Sequence, residues 1–447
     1  MTDSSAFARL RRKQFSQLDR SNVVYLDYTG ACPVPKSLPE QHISNLSSNV
    51  YANPHSASLP SSAATAAFHR AKTTVLRFFN ARDHELIFTA NASSAIHLVA
   101  QTFPFQRDST LYLTADNHNS VLALRESARM ARCNTVLIPL ESRLTLSQPL
   151  SYLYKHNAAS SAPSLFAYPA QSNFSGVRHD LQLVHHARSK DIHVLLDAAA
   201  YAPTSALDLS RVQADFVPIS FYKMFGYPTG IGALIVRKSA LSVLRKNWFA
   251  GGTVKFVSVA SDLHILHDGA DAFQDGTVDF LSFPAIVNGI HLLSKIGMPN
   301  ITKHVATVTH TFLHQIQHMR YANGARMALI YGPNLHDNTI PRGGTVAMDL
   351  LDSRGKRMDC HFVEREAGRR GIAIRAGCFC NPGCAERVFD IDGLSVAECV
   401  RKGYTAYDCT SGIGCFRVSF GMGTVKKDIK AFLAFVRELC NSYGAKF

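Results

Sequence analysis

Short apolar runs alternate with helical patterns through most of this 447-residue chain, and that alternation sets the expected architecture. HELIFTAN (84–91) reads as a strand ending in a turn, and ASSAIHLVAQTF follows as a helix with Ile96, Val99 and Phe103 on its inner face. TLYLTADNH (110–118) is another strand and loop. NTVLIPL, SLFAYPA, HVLLDAA and ADFVPIS continue the series, with helical segments between some of them. GIGALIVR (230–237) reads as a strand with glycine at a close-packed start. Strands spaced by helices are the signature of βαβ units and a largely parallel sheet. After about residue 290 the pattern changes to long helices with a few β-rich pieces, such as TVAMDLL and FRVSF. The predicted class is therefore α/β, a large mainly parallel-sheet domain followed by a smaller α+β domain. Residues 58–290 are expected to form the large domain and 291–447 the small one, with 1–57 joining the small domain and the cleft.

Composition narrows the function classes. At 46% hydrophobic, the chain can bury one large core with a smaller lobe. No window approaches the roughly 18 to 20 continuous apolar residues of a membrane span. The opening MTDSSAFARLRRKQFSQLD lacks the apolar stretch of a secretory signal. Ten cysteines without regular spacing do not form a disulfide framework, which favours free thiols and a reduced, cytoplasmic setting. The net charge of +14 is scattered, with no basic run or aromatic-interleaved stripe. That excess points to a basic enzyme with anionic ligands and not to nucleic-acid binding.

The most informative stretch is residues 197–236, DAAAYAPTSALDLSRVQADFVPISFYKMFGYPTGIGALIV. Asp197 closes one apolar strand; Ser220 closes another, followed by Lys223 and a Gly-rich turn. Carboxyl ends of strands are where open α/β sheets bind ligands. A lysine among apolar neighbours there has its charged form disfavoured and becomes nucleophilic toward an aldehyde. A facing carboxylate pairs with a pyridine nitrogen. The same pattern also suits a capping Asp and a surface Lys. In TANASSAIHL, Ala92, Ser93 and Ser94 sit where a helix start offers backbone N–H groups to a phosphate, a position that also suits a plain cap. His118, at the end of the next strand, is placed to stack on a flat ring.

These residues carry a resemblance. The chain resembles class V aminotransferase-fold enzymes that use pyridoxal 5'-phosphate (PLP), and most of all the cysteine desulfurase-like domain of molybdenum cofactor sulfurases. The matching segments run in family order from VYLDYTGACPVP through YANPHSAS, FTANASSAIHLV, DNHNSVLALRE and LLDAAAYAPT to SFYKMFGYPTGIGALIV, AGGTV, FQDGTVDFLSF, GGTVAMDL, RAGCFCNPG and FRVSFGMGT. They span about residues 24 to 424. The resemblance implies the type I fold of PLP-dependent transferases. It makes Lys223 the Schiff-base lysine and Cα base, Asp197 the pyridine-nitrogen partner and Ala199 the residue under the ring. It places His118 over the ring and Ala92, Ser93 and Ser220 in the phosphate cup. Thr253 would reach the phosphate of a neighbouring subunit, implying a homodimer. Arg417 would clamp the substrate carboxylate, with Arg375, Asn53 and His55 lining the substrate side.

Cys378, Cys380 and Cys384 form a C-x-C-x3-C run that reads on spacing alone as a possible metal site. In the desulfurase pattern the catalytic cysteine follows the motif arginine by five residues, and Arg375 to Cys380 satisfies that. The resemblance then implies a desulfurase that takes sulfur from L-cysteine as a Cys380 persulfide and leaves alanine. Two positions depart from the general pattern. Ala200 stands where desulfurases carry a Gln, a small residue that the cofactor sulfurases share. Cys384 directly follows Gly383, one position earlier than is common in that branch. The chain stops at Phe447, so a C-terminal molybdenum-cofactor-binding domain is not expected; either a separate acceptor protein receives the sulfur, or the enzyme serves another sulfur- or amino-acid-processing task. The alternatives are a PLP-dependent C–S lyase acting on a cysteine conjugate, which needs Cys380 less, and a non-catalytic or metal-binding scaffold.

Overall fold

Nearly all of the apolar runs become strands in a computed structural model that describes residues 4–54, 56–156, 161–335, 337, 339–402 and 413–444. The first strand, β1 (Val24–Tyr25), lies outside the main sheet. The main sheet takes β2 (His84–Thr89), β3 (Thr110–Thr114), β4 (Asn134–Ile138), β5 (Ser164–Pro169), β6 (Ile192–Asp197), β7 (Phe216–Ser220) and β8 (Gly232–Arg237). Their spatial order is β2-β8-β7-β6-β5-β3-β4. The pairs from β7 to β4 are parallel, and β8 runs antiparallel to both of its neighbours. Every residue of β5 and of β7 is buried, as a sheet covered on both faces requires. The carboxyl ends of β3, β5, β6 and β7 therefore open on the same side. The helix Ala92–Thr102 presents Ala95, Ile96 and Val99 to the core, with Phe103 buried at its end.

Gly232 shows how tightly that side is built. A Cβ there would lie 2.6 Å from the Ile219 carbonyl oxygen and 2.7 Å from Asn91 Cα, both backbone atoms that cannot swing away. The close approach seats the start of the Ala92–Thr102 helix against the end of β7. Gly232→Ala is expected to lower unfolding free energy by roughly 1–3 kcal/mol, read as a shift in the urea midpoint at unchanged slope.

A hairpin of β9 (Val254–Val257) and β10 (His264–Leu266) follows. The second sheet is antiparallel and combines β11 (Ala328–Tyr331), β12 (Thr345–Leu350), β14 (Arg375–Gly377) and β15 (Cys415–Ser419) in the order β11-β12-β15-β14. The short β13 (Ile372–Ala373) pairs with β1, and Asp27 bridges in parallel to Ser419. The N-terminal segment is thus joined to the second sheet. The helix Phe283–Ile296 runs through residue 290 and packs on the helix Leu59–Phe78 of the first sheet's layer. Among the described residues no helix is long and apolar enough to cross a membrane. Eight described cysteines are free thiols, but Cys399 is disulfide-bonded. The expectation of free thiols throughout is corrected at that position, which lies in the largely exposed helix Gly393–Arg401 and not in the core.

Candidate active site

The strand ends of the main sheet bring the chemistry together. Asp197 is the last residue of β6 and is 8% exposed, and its Oδ1 accepts from the Ala199 N–H at 2.9 Å. That bond fixes the carboxylate and leaves its other oxygen uncommitted within the Asp197–Ala199 turn. Lys223 follows β7 in the short helix Phe221–Phe225, which a left-handed Gly226 ends. Burial holds its amine below the ordinary lysine value, opposed by Asp197 and reinforced by Arg417 and Arg375, with Cys380 near enough to act on it as well. Lys223 also lines a small cavity with Thr29, Gln171, Ala199, Ala200 and Thr345.

The phosphate-side residues converge from three elements. The Ala92 N–H donates to Ser220 Oγ at 2.9 Å, tying the helix start to the end of β7. Ser93 Oγ meets Ser120 Oγ at 2.6 Å, and the Ser120 N–H donates to His118 Nδ1 at 3.1 Å. Accepting at Nδ1 leaves the ring proton of a neutral His118 on Nε2. Burial pushes the imidazole below its usual value; Asp197 pulls it up, and Lys223 and Arg417 push it down. His118, Asp197, Lys223 and Arg417 are therefore close enough to feel one another's charge.

Arg417, in β15, is 3% exposed. Its Nη1 donates to the Asn173 carbonyl at 2.8 Å and its Nη2 to Asp27 Oδ1 at 2.9 Å. Its Nε is buried with no acceptor, an unsatisfied donor that suits an incoming carboxylate. Arg375 binds the other oxygen of Asp27 through Nε at 3.0 Å and Nη2 at 2.6 Å. Asp27 thus couples the two arginines. The sequence placed it inside a matching segment without a role, because the partners lie 348 and 390 residues away. Asn173, at the turn after β5, was missed for the same reason. Strand-end position was the available signal for both.

Cys380 is an exposed free thiol, whereas Cys384 is buried and donates to Asp116 Oδ1 at 3.2 Å. The C-x-C-x3-C run is split between surface and core and is not one ligand set. No group of three His, Cys, Asp or Glu suited to a metal ion occurs among the described residues. Two expected site residues stand apart from this cluster within the chain. Asn53 is exposed and its Nδ2 donates to Thr277 Oγ1 at 3.3 Å. Thr253 closes on its own turn, with Oγ1 donating to the Ala250 carbonyl at 2.8 Å. His55 lies outside the described residues.

The donor set fits PLP: a lysine whose charge is disfavoured, a buried carboxylate and an imidazole lie within electrostatic reach of one another, and a serine-lined helix start adjoins the imidazole.

Comparison with known proteins places this arrangement. The family model for aminotransferase class-V matches residues 24–432. Human (Homo sapiens) molybdenum cofactor sulfurase is 36% identical over 453 residues, covering 96% of this chain and 50% of that protein. The Arabidopsis thaliana molybdenum cofactor sulfurase is 35% identical, covering 96% of this chain and 57% of that one. The chain thus spans about half the length of the curated relatives it matches. The solved apo structure of cysteine desulfurase from Thermococcus onnurineus NA1 superposes with a TM-score of 0.80 at 22% identity, over 97% of this chain and 98% of that one. The expected type I PLP-dependent transferase fold is therefore present. With nearly the whole described cleft inside the matched span, the chain belongs to the aminotransferase class-V family.

Proposed function

We propose that this protein is a PLP-dependent cysteine desulfurase that takes sulfur from L-cysteine onto Cys380 and leaves alanine. The observation that carries the reading is the convergence on Lys223, within electrostatic reach, of Asp197, Arg417, Arg375 and Cys380 from separate elements. Its relatives named as molybdenum cofactor sulfurases and a cysteine desulfurase support the same chemistry.

PLP, when bound, supplies an electron sink for bonds at the substrate's Cα. With PLP bound, Asp197 would hold the pyridine-nitrogen proton, and Ala199 and His118 would pack against the ring. Ala92, Ser93 and Ser220 hold the phosphate at the helix start, where N–H groups and the helix dipole favour an anion. Lys223 is the amine for the cofactor's aldehyde and afterwards moves the Cα proton, a task suited to a lysine with a lowered pKa. Arg417 binds the substrate carboxylate, with Asp27 fixing its orientation. The Cys380 thiolate attacks the substrate sulfur; an S–S bond forms as the C–S bond breaks, and the C–S electron pair stays with Cβ. Proton delivery to Cβ and return of the Cα proton by Lys223 then complete alanine.

Arg417→Lys is expected to raise KM for L-cysteine by about tenfold or more with a smaller change in kcat, because a point charge replaces a planar fork. Steady-state kinetics check it.

Cys380 is exposed, so a separate acceptor protein can reach its persulfide. We assign a homodimer to the face around the β9–β10 hairpin, where Trp248, Phe249, Phe256, Val259 and Leu263 are exposed together. Thr253 lies at the base of that hairpin and would meet the second copy's phosphate there. Residues 58–290 then form the cofactor-binding domain, and 291–447 with 1–57 the domain that carries Arg417 and Cys380. A reduced Cys380 is required, which suits the cytoplasm. Incubating the PLP-loaded protein with L-cysteine and a thiol reductant should yield alanine and sulfide in equal amounts. Pyruvate and ammonia in place of alanine would refute the reading in favour of elimination.

A further inference from the structure

We propose that Asp116 is a positioning residue for Cys380, acting through Asn381 to hold the nucleophile's loop in the conformation that presents its thiol to the cleft. The inference rests on the reading of Cys380 as the sulfur-accepting nucleophile.

The loop is locally strained. Phe379 and Cys380 are successive non-glycine residues with φ of 56° and 55°, in the left-handed region that L side chains avoid. Such a pair persists only when its surroundings over-determine it. Two contacts pin the carbonyls: the Asn119 N–H donates to the Cys380 oxygen at 2.8 Å, and Asn173 Nδ2 donates to the Phe379 oxygen at 2.7 Å. The next residue, Asn381, is completely buried and turns inward. Its Nδ2 donates to Asp116 Oδ1 at 2.6 Å and to Asn173 Oδ1 at 2.9 Å, while its own Oδ1 accepts from the Cys384 N–H at 3.3 Å.

Asp116 is the hub. It is fully buried in the loop after β3, two residues before His118. Oδ1 also accepts from Ser172 Oγ at 2.9 Å and from the Cys384 thiol, and Oδ2 meets His179 Nε2 at 2.8 Å. Burial pushes the carboxyl up, but the hydrogen bonds from His179, Asn381 and Cys384 outweigh it and keep the group below its usual value. A buried carboxylate with donors from the turn after β5 and from the cysteine loop is a fixed junction, and breaking one arm leaves unpaired polar atoms in the core. None of these groups touches the reacting atoms on its own account. Their effect reaches the chemistry only through where Cys380 stands.

The test is a cycle of Asp116→Ala, Asn381→Ala and the double variant in the PLP-loaded enzyme. Alanine formation from L-cysteine is measured alongside amide exchange over residues 377–384. Each single change is expected to lower kcat roughly tenfold to a hundredfold, since misplacing a reactive group costs on that order. KM and the visible absorbance of the bound cofactor should hold, and loop exchange should quicken at least about tenfold. The double variant should be no worse than the poorer single one, because the two residues act on one path. Wild-type exchange or wild-type kcat in Asn381→Ala overturns the proposal, and that variant decides even if Asp116→Ala fails to fold. Multiplicative losses in the double variant overturn it too. If the wild-type protein makes no alanine, the desulfurase reading fails, while the exchange data still decide whether Asp116 anchors the loop.

Discussion

Lys223→Ala abolishes turnover: the account predicts a fall in alanine formation of roughly 10⁴-fold or more, as loss of a covalent and proton-moving group does. Borohydride should then no longer attach the cofactor to the chain, and mass spectrometry of the Lys223 peptide checks that directly. The size of the effect follows from geometry. Burial disfavours the ammonium form at the carboxyl end of β7, and Arg417 and Arg375 add to that. The fold should survive, because burial already disfavours the ammonium form that is removed.

Cys380→Ala should separate binding from sulfur transfer. Cofactor absorbance and KM are expected to stay near wild type while alanine formation falls roughly 10³-fold or more, the scale of a lost nucleophile. Cys384→Ala should not reproduce that loss, since the Cys384 thiol is buried, pushed well up by that burial and bonded to Asp116. A Cys380→Ala protein that keeps cleaving C–S bonds would instead be a lyase.

Much of this was legible in the sequence because it is local. β5 and β7 read as continuous apolar runs since both of their faces are covered. Asp197, Ser220, Lys223 and His118 could be found as residues at or just beyond strand ends. What could not be read is what tertiary contact alone creates. Asp27 between Arg375 and Arg417, and Asp116 holding Asn381 across 265 residues, have no signature in spacing. Thr253 illustrates the converse: the sequence supplied a role, yet within one chain its hydroxyl is satisfied by Ala250. The disulfide at Cys399 likewise escaped a reading based on regular cysteine spacing.

The central claim is that substrate sulfur passes to Cys380. A single turnover of the PLP-loaded protein with ³⁴S-labelled L-cysteine, quenched without reductant and digested, tests it most directly. The account predicts a gain of about 34 Da on the Cys380 peptide, the mass of one labelled sulfur held as a persulfide, with one alanine per site. An unmodified Cys380 peptide accompanied by pyruvate would contradict it.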